Sequence, residues 1–374
     1  MDSCDILIVG GGPAGSSCAW KLRNSGLATV ILDKRVFPRD KVCGGWITPP
    51  IVEELEIDLA DYARGRVLQP IHGFRTSRMG GREVETDYGR PISYGIRRFE
   101  FDDFLLKRCG ARVHQGVPLT TLERYGDQWI VNGQFKTRLV VGAGGHFCPV
   151  ARLRGANART EISIAAQEIE FEMTDRQEEE CSIRHEIPEL YFCTDMKGYG
   201  WCIRKGKFLN VGLGRLDPRA LPRHVAGLLS FLKRTGKVAF DLPSSLWGHS
   251  YLLYGHAKRK VAEDGILLIG DAAGLAYSQS GEGIRPAIES GLLAAKAILA
   301  AGEFHGSKLL ETYRSLLAER FAKPQKEWAF NIGRCLPAWL MSSLAGLLLA
   351  NRWFSQHVVL DRWFLHCDEP ALNS

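Results

Sequence analysis

The sequence predicts an α/β protein. A Rossmann-like, discontinuous nucleotide-binding domain is joined to an antiparallel β-sheet domain and a C-terminal helical segment. Three observations predict it. The chain opens on a strand, a glycine turn, a helix and a second strand. Its middle alternates apolar and polar residues in short runs, and a strand followed by a long helix returns after residue 265. Strand and helix signals at both ends of a strand-rich middle imply domains built from separated segments.

Residues 5–9 (DILIV) form an unbroken apolar run, as expected of a strand buried on both faces. Residues 10–15 (GGGPAG) are a turn, 14–24 read as a helix, and 29–32 are a second apolar strand ending at Asp33. Together these are a βαβ unit. Within residues 128–137, Asn132-Gly133 separates two apolar-rich runs, the chemistry of a two-residue hairpin, and 139–141 re-enter an apolar strand. Glu168, Glu170 and Glu172 alternate with Ile169, Phe171 and Met173, which predicts a half-buried strand with the glutamates on a wet face. Residues 190–193, 199–203 and 208–213 are expected in the same sheet, and 266–269 are a last core strand. Ile284, Ile288, Leu292, Ala295 and Leu299 recur at helical spacing. Beyond residue 320 the chain reads as helical. The expected division is 1–70, 95–155 and 256–320 for cofactor binding, 71–94 and 156–255 for substrate binding, and 321–374 as a helical lid or tail.

Composition sets bounds on function. A chain of 374 residues, 45% hydrophobic and 24% charged, is long enough for two folded domains. Its net charge, 48 − 42 = +6, is too diffuse to point to nucleic acid. Ten cysteines form no CxxC pair and no metal-ligand spacing, so reduced thiols in a cytoplasmic protein, most of them core packers, are expected, and no metal. The first strand begins after four residues, which leaves no room for a signal peptide. The longest charge-free stretch, 336–350, is shorter than the roughly 20 residues of a spanning helix.

The chemistry starts at the glycine turn. Gly10, Gly12 and Gly15 have the GxGxxG spacing: a tight turn, close approach of a diphosphate to the backbone, and close packing of helix on strand. The phosphates would rest on free N–H groups at the helix start. Asp33 lies 18 residues beyond Gly15, where an acid grips the adenosine ribose. A second device follows at 265–285 (GILLIGDAAGLAYSQSGEGIR). Asp271 ends a strand and suits a sugar or ribityl hydroxyl, and the 280–283 loop opens a helix whose N–H groups suit the negative charge on a reduced flavin. A plain strand-to-helix turn with Asp as N-cap is the bland alternative. No second GxGxxG unit exists, so NADPH would bind transiently in a groove, or another carrier such as a ferredoxin would deliver electrons.

The fingerprint, Arg98 four residues before Asp102 (RFEFD) and the GDAAG…GEGI block resemble the p-hydroxybenzoate hydroxylase-like flavoproteins, with their glutathione reductase-type FAD fold. Within them the chain looks most like the geranylgeranyl reductase family, on RDKVCGG at 39–45, YGWCI at 199–203 and NVGLG at 210–214. The resemblance covers roughly residues 5–300. It implies bound FAD, with Pro13, Ala14, Lys34, Gly44, Gly45, Arg98, Gly270, Gly281, Gly283 and Ile284 joining the residues above. It places Cys43 beside the flavin as a proton relay, with Tyr199 and Trp201 walling the pocket. Arg39 and Lys41 are expected in a solvated loop. The family's YxWxFP element is incomplete, with Met196 for a leading proline, Ile203 for phenylalanine and Arg204 for the last proline, and Gly144-Gly145 replaces an Asp-Gly pair.

The implied activity is reduction of carbon–carbon double bonds in a hydrophobic, isoprenoid-like substrate. An FAD monooxygenase acting on an aromatic or polyketide-like compound and a non-catalytic lipid-binding protein are the alternatives. A flavin halogenase ranks below both, because its WxWxIP element is missing. Arg352-Trp353-Phe354 and Arg362-Trp363-Phe364 suit either a lid or a peripheral membrane contact at the inner face, and the lack of a strongly cationic helix face favours the lid.

Overall fold

A computed structural model describes residues 1–156, 161–256, 259–263, 265–302, 304, 306–322 and 338–372. Two compact units are each assembled from three segments. Met1–Asp40, Phe99–Ser163 and Tyr251–Lys323 form the first; Lys41–Arg98, Ile164–Ser250 and Pro324–Ser374 form the second. The expected boundary at residue 70 therefore moves back to 40. The reason is strand pairing: Trp46–Ile47 and Leu68–Ile71 both pair antiparallel with Ser93–Ile96 in a small sheet of the second unit.

The first unit is built on a sheet in the order Ala262–Glu263, Ile266–Leu268, Phe135–Gly142, Asp2–Val9, Thr29–Asp33, Arg112–Gln115. Its central pairings are parallel, and Ile6, Leu7 and Ile8 are fully buried, as the apolar run requires. The hairpin forms between Gln128–Val131 and Phe135–Gly142, with Asn132 at φ 55° and Gly133 at φ 64°. Its second strand simply continues through 139–141. Helices Pro13–Leu22 and Ile284–Ala301 pack together so closely that a Cβ on Gly291 would lie 2.3 Å from the Ala14 carbonyl oxygen. Leu299, expected on the apolar stripe, is instead 45% exposed near the end of that helix. Arg285 and Arg320 both bond the fully buried Glu289, so one buried carboxylate is shared by two guanidinium groups inside this helix layer.

The second unit contains a sheet in the order Ser163–Glu172, Phe208–Arg215, Gly198–Lys205, Glu189–Phe192, Gly73–Arg78, Val84–Asp87, with Trp247–Leu252 flanking the first of these. One face is a conventional core: Ile169, Cys202, Val211 and Leu213 pack with Val225 and Leu228 of helix Leu221–Arg234. The other face carries the residues described below. Three helices of the C-terminal segment belong to this unit: Ala338–Leu349, Arg352–Phe354 and the wider-wound Ser355–Phe364. Leu336 and Pro337, which begin the charge-free stretch, and Cys335 lie outside the described residues. The other nine cysteines are free thiols, seven of them buried, with Cys43 half-buried and Cys367 exposed. Among the described residues no helix is long and apolar enough to cross a membrane, and no cluster suits a metal ion.

Candidate active site

In the first unit the glycine turn does what its spacing predicts. Gly10 has φ 118°, and a Cβ on it would lie 2.4 Å from the Ala143 oxygen, so no other residue fits between the two strand ends. A Cβ on Gly15 would collide with the Gly10 oxygen at 1.9 Å. At Gly12 the only neighbour within 4 Å would be the Arg39 Nη2 at 3.4 Å, so the space over that peptide is otherwise open. Helix Pro13–Leu22 starts at this glycine N-cap, which has no side chain to occupy the first N–H groups, and its first turn contains no acid. These groups fit a diphosphate, which a capping carboxylate would exclude.

Asp33 is fixed at the strand end. Its Oδ2 accepts the Gly11 N–H at 2.7 Å and its Oδ1 the Arg35 N–H at 2.8 Å. The half-exposed carboxylate keeps lone pairs for a further donor, and Lys34 beside it is exposed. Arg39 departs from expectation. It is not a solvated loop residue but pairs at 3.0 Å with the wholly buried Asp102, which returns a function for the acid of RFEFD. Arg98 is buried at the start of helix Arg98–Lys107 and falls at the last position of a second-unit segment.

The second cofactor motif reaches the first within this unit. A Cβ on Gly270 would lie 3.0 Å from the Ala14 Cβ, and the Gly270 N–H is held by the Ser290 hydroxyl at 2.9 Å. Asp271 follows, its Oδ1 3.3 Å from where a Gly283 Cβ would stand. Helix Ile284–Ala301 also starts at a glycine N-cap, Gly283, and has no acid in its first turn. Gly281 has φ 70° and is covered by the Tyr251 hydroxyl. Two helix starts with open N–H groups thus share one end of the sheet, which fits a ligand that is anionic at two separated points, as FAD is once its ring is reduced.

In the second unit, strand register assembles a polar patch on the face opposite the apolar core. Trp201, Gly212 and Glu168 are direct neighbours across three strands, and Ile203, Asn210 and Glu170 form the adjacent row. Tyr199 lies beside Trp201, ring centroids 6.1 Å apart, as their two-residue spacing requires. Gly212 makes room for the indole, since a Cβ there would sit 2.3 Å from a ring carbon. The Trp201 Nε1–H donates to Asn210 Oδ1 at 2.7 Å.

The Cys43-Gly44-Gly45 loop lies on this patch, and all three of its carbonyls and the Cys43 N–H are held. The Glu168 carboxyl takes the Cys43 N–H, and Asn210 Nδ2 donates to the Cys43 carbonyl at 3.1 Å. Lys205 Nζ donates to the Gly44 carbonyl at 3.0 Å and to the Ile96 carbonyl at 2.9 Å, while the Ile96 N–H donates to Gly45. Gly45 has φ 70°, and its missing Cβ would lie 2.4 Å from the Ile96 oxygen. Lys205 is fully buried and pairs with Glu170 at 2.6 Å, which Arg97 also approaches at 3.3 Å. Burial pushes Glu170 up, but the Lys205 ammonium and the Arg97 guanidinium outweigh it and hold the carboxyl below its usual range. For Glu168 burial dominates and raises the carboxyl to about 7, against the smaller opposing pull of the Cys43 N–H and Lys205.

This corrects the sequence reading of 168–173. The alternation is right, but the glutamate face is wet only at Glu172: Glu168 is 5% exposed and Glu170 lies in the ion-paired patch. Lys205 and Asn210 escaped notice although period two places them on the Tyr199 and Trp201 face. Lys41 is likewise not simply solvated; its ammonium lies 2.6 Å from His249 Nε2. At the turn before Gly198, Met196 has φ 57°, a conformation closed to the proline of the family pattern. Arg204 sends its guanidinium to Glu178 at 2.8 Å.

The C-terminal segment completes the aromatic wall. Phe364 is fully buried against Tyr199, Trp46 and Phe192, with centroids 5.1, 6.2 and 6.3 Å away. Asp361 accepts the Tyr88 hydroxyl at 2.6 Å.

A family description, the NAD(P)-binding Rossmann-like domain, matches residues 8–61. The menaquinone reductase of Mycobacterium tuberculosis is 30% identical over 352 residues, covering 86% of this chain and 81% of the relative. The digeranylgeranylglycerophospholipid reductase of Methanocaldococcus jannaschii is 28% identical over 315 residues, covering 78% and 76%. A solved geranylgeranyl bacteriochlorophyll reductase-like protein from Thermoplasma acidophilum superposes with a TM-score of 0.78 at 21% identity over 97% of each chain. Together with the two open helix starts, these likenesses define an FAD-dependent oxidoreductase, with reduction the favoured direction. Within that class the chain belongs to the geranylgeranyl reductase family.

Proposed function

We propose that the protein reduces carbon–carbon double bonds of a hydrophobic, isoprenoid-like substrate. The observation that carries this is the second unit's face of Tyr199, Trp201, Trp46 and Phe364 set beside a rigidly held Cys43 loop. Aromatic walls suit an apolar polyene, and a thiol whose backbone is fixed suits delivery of one proton.

FAD, when bound and reduced, would supply the hydride for such a reduction. Gly10, Gly12, Pro13, Ala14 and Gly15 would hold its diphosphate on the N–H groups of the first helix. Asp33 and Lys34 would hold the adenosine side, with Arg98 as a further contact. Gly270 and Asp271 would take the ribityl chain, and Gly281, Gly283 and Ile284 the ring edge. By the family resemblance, Gly44 and Gly45 would be further cofactor contacts. Cys43 would give the proton that the second alkene carbon needs, and the aromatic wall would exclude water. NADPH, bound transiently, is the proposed electron donor.

The test is anaerobic. The reduced protein is offered menaquinone and an unsaturated isoprenoid diphosphate before air is admitted. Stoichiometric reoxidation with saturated product supports the reading. Reoxidation by air alone, with a hydroxylated product, would establish the monooxygenase instead. Cys43→Ala should keep FAD and lose turnover.

The substrate class also suggests where the protein works. Leu344, Leu347 and Leu348 lie exposed on one face of helix Ala338–Leu349, and the exposed Trp353 and Arg352 follow. This surface suits an anionic lipid boundary. Leu347→Glu should abolish sedimentation with phosphatidylglycerol vesicles.

A further inference from the structure

Buried in the second unit, Glu168 has no place in the function proposed above, and its surroundings give it one. Its carboxyl lies in the row of Trp201 and Gly212, 5% exposed. One oxygen faces the Cys43 N–H, while Oε2 is buried with no hydrogen-bond partner. A buried carboxyl oxygen without a donor keeps its full desolvation penalty when charged, which protonation relieves. The charged neighbours agree. Lys205 and Arg97 both pair with Glu170, so among the described residues the ammonium acts on Glu168 only as a weaker, shared charge, while the Glu170 carboxylate beside it repels a second negative charge. Asn210 shares its amide hydrogens between Cys43 and Glu170 and gives Glu168 only the smallest of the pulls on its carboxyl. Lys41 and His249, at the other end of the loop, are engaged with each other. The Cys43 sulfur belongs to the same residue as the N–H that Glu168 holds, three bonds from that nitrogen.

We propose that Glu168 is the proton reserve of the site, a positioning residue that acts through Cys43. This rests on the reductase reading above. One alkene carbon gains hydride, with its electron pair, from the reduced flavin. The other gains the Cys43 S–H proton, leaving a thiolate. The Glu168 carboxylic proton then passes to sulfur, and the resulting carboxylate takes a proton from water. No further oxidant or reductant enters.

The distinguishing variant is Glu168→Gln, whose amide oxygen still accepts the Cys43 N–H but which holds no exchangeable acid. Infrared difference titration of the protein alone, from about pH 5 to about pH 9, should show a protonated-carboxyl band bleaching near neutrality. Glu168→Gln should lack it. A wild-type spectrum without that band, or a variant that keeps it, overturns the proposal whether or not any polyene is reduced. Alkylation of Cys43 by iodoacetamide at low pH should be unchanged in Glu168→Gln. A changed rate would make Glu168 a mere loop support and sink the idea. In turnover, wild-type kcat should fall as pH rises through about 7, whereas Glu168→Gln should be slower by about 10-fold or more below that pH and flat across it. Glu168→Asp should restore part of the acid limb. If wild type reduces no polyene while the carboxyl band behaves as expected, the reductase reading fails and the proton-holding role stands.

Discussion

Glu168→Gln should make the protein more stable, and only at high pH. The carboxyl is raised by burial from 4.5 to about 7, so the folded state holds a proton that the unfolded chain has already released. Between those values the folded state binds more protons, and stability therefore falls as pH rises through that window. The full penalty, about 3 kcal/mol, is present above pH 7 and absent below 4.5. Glutamine has the same shape and no charge, so the variant escapes the penalty. Urea denaturation of both proteins at about pH 5 and about pH 8.5 measures the difference. The variant should gain roughly 3 kcal/mol relative to wild type between the two conditions. An equal difference at both pH values would mean that Glu168 is ionised throughout, and the account of its burial would be wrong.

Other outcomes follow from the same contacts. Lys205→Met should cost about 3–5 kcal/mol at neutral pH, because Glu170 keeps its charge and loses its ammonium partner; denaturation curves decide it. Gly12→Val should leave the melting temperature unchanged, since Gly12 has φ −73° and only Arg39 Nη2 near its Cβ position, yet lower FAD affinity by about 10-fold or more in fluorescence titration. Met196→Pro should destabilise by about 3 kcal/mol or more, because a proline ring excludes φ 57°, whereas Met196→Gly should be neutral or stabilising by up to about 1 kcal/mol.

The cofactor side of the fold was legible because its signals are local. Gly10, Gly12 and Gly15 specify a turn by their own backbone needs, and Asp33 ends the next strand. The hairpin at Asn132-Gly133 is local in the same way. The second-unit patch was half legible. Alternation marked Glu168 and Glu170 correctly as one face, but alternation says which residues share a side, not what covers it. Only the three-strand register sets Glu168 beside Trp201, and only folding returns Cys43 to them over more than a hundred residues of chain. Arg39 and Lys41 were misjudged for the same reason, their partners Asp102 and His249 being remote in sequence.

The interleaving of segments bears on how the protein is made. Strand Phe135–Gly142 is synthesised before its partner Ile266–Leu268, which follows some 120 residues later in the chain. At about 5–20 residues per second the nascent sheet waits roughly 6–25 s with an apolar strand edge uncovered. During that interval the ribosome-bound chain offers a template for misplaced pairing, which makes chaperone capture of the early half, and poor yield without it, the natural cost of a cradle whose two sides are encoded so far apart.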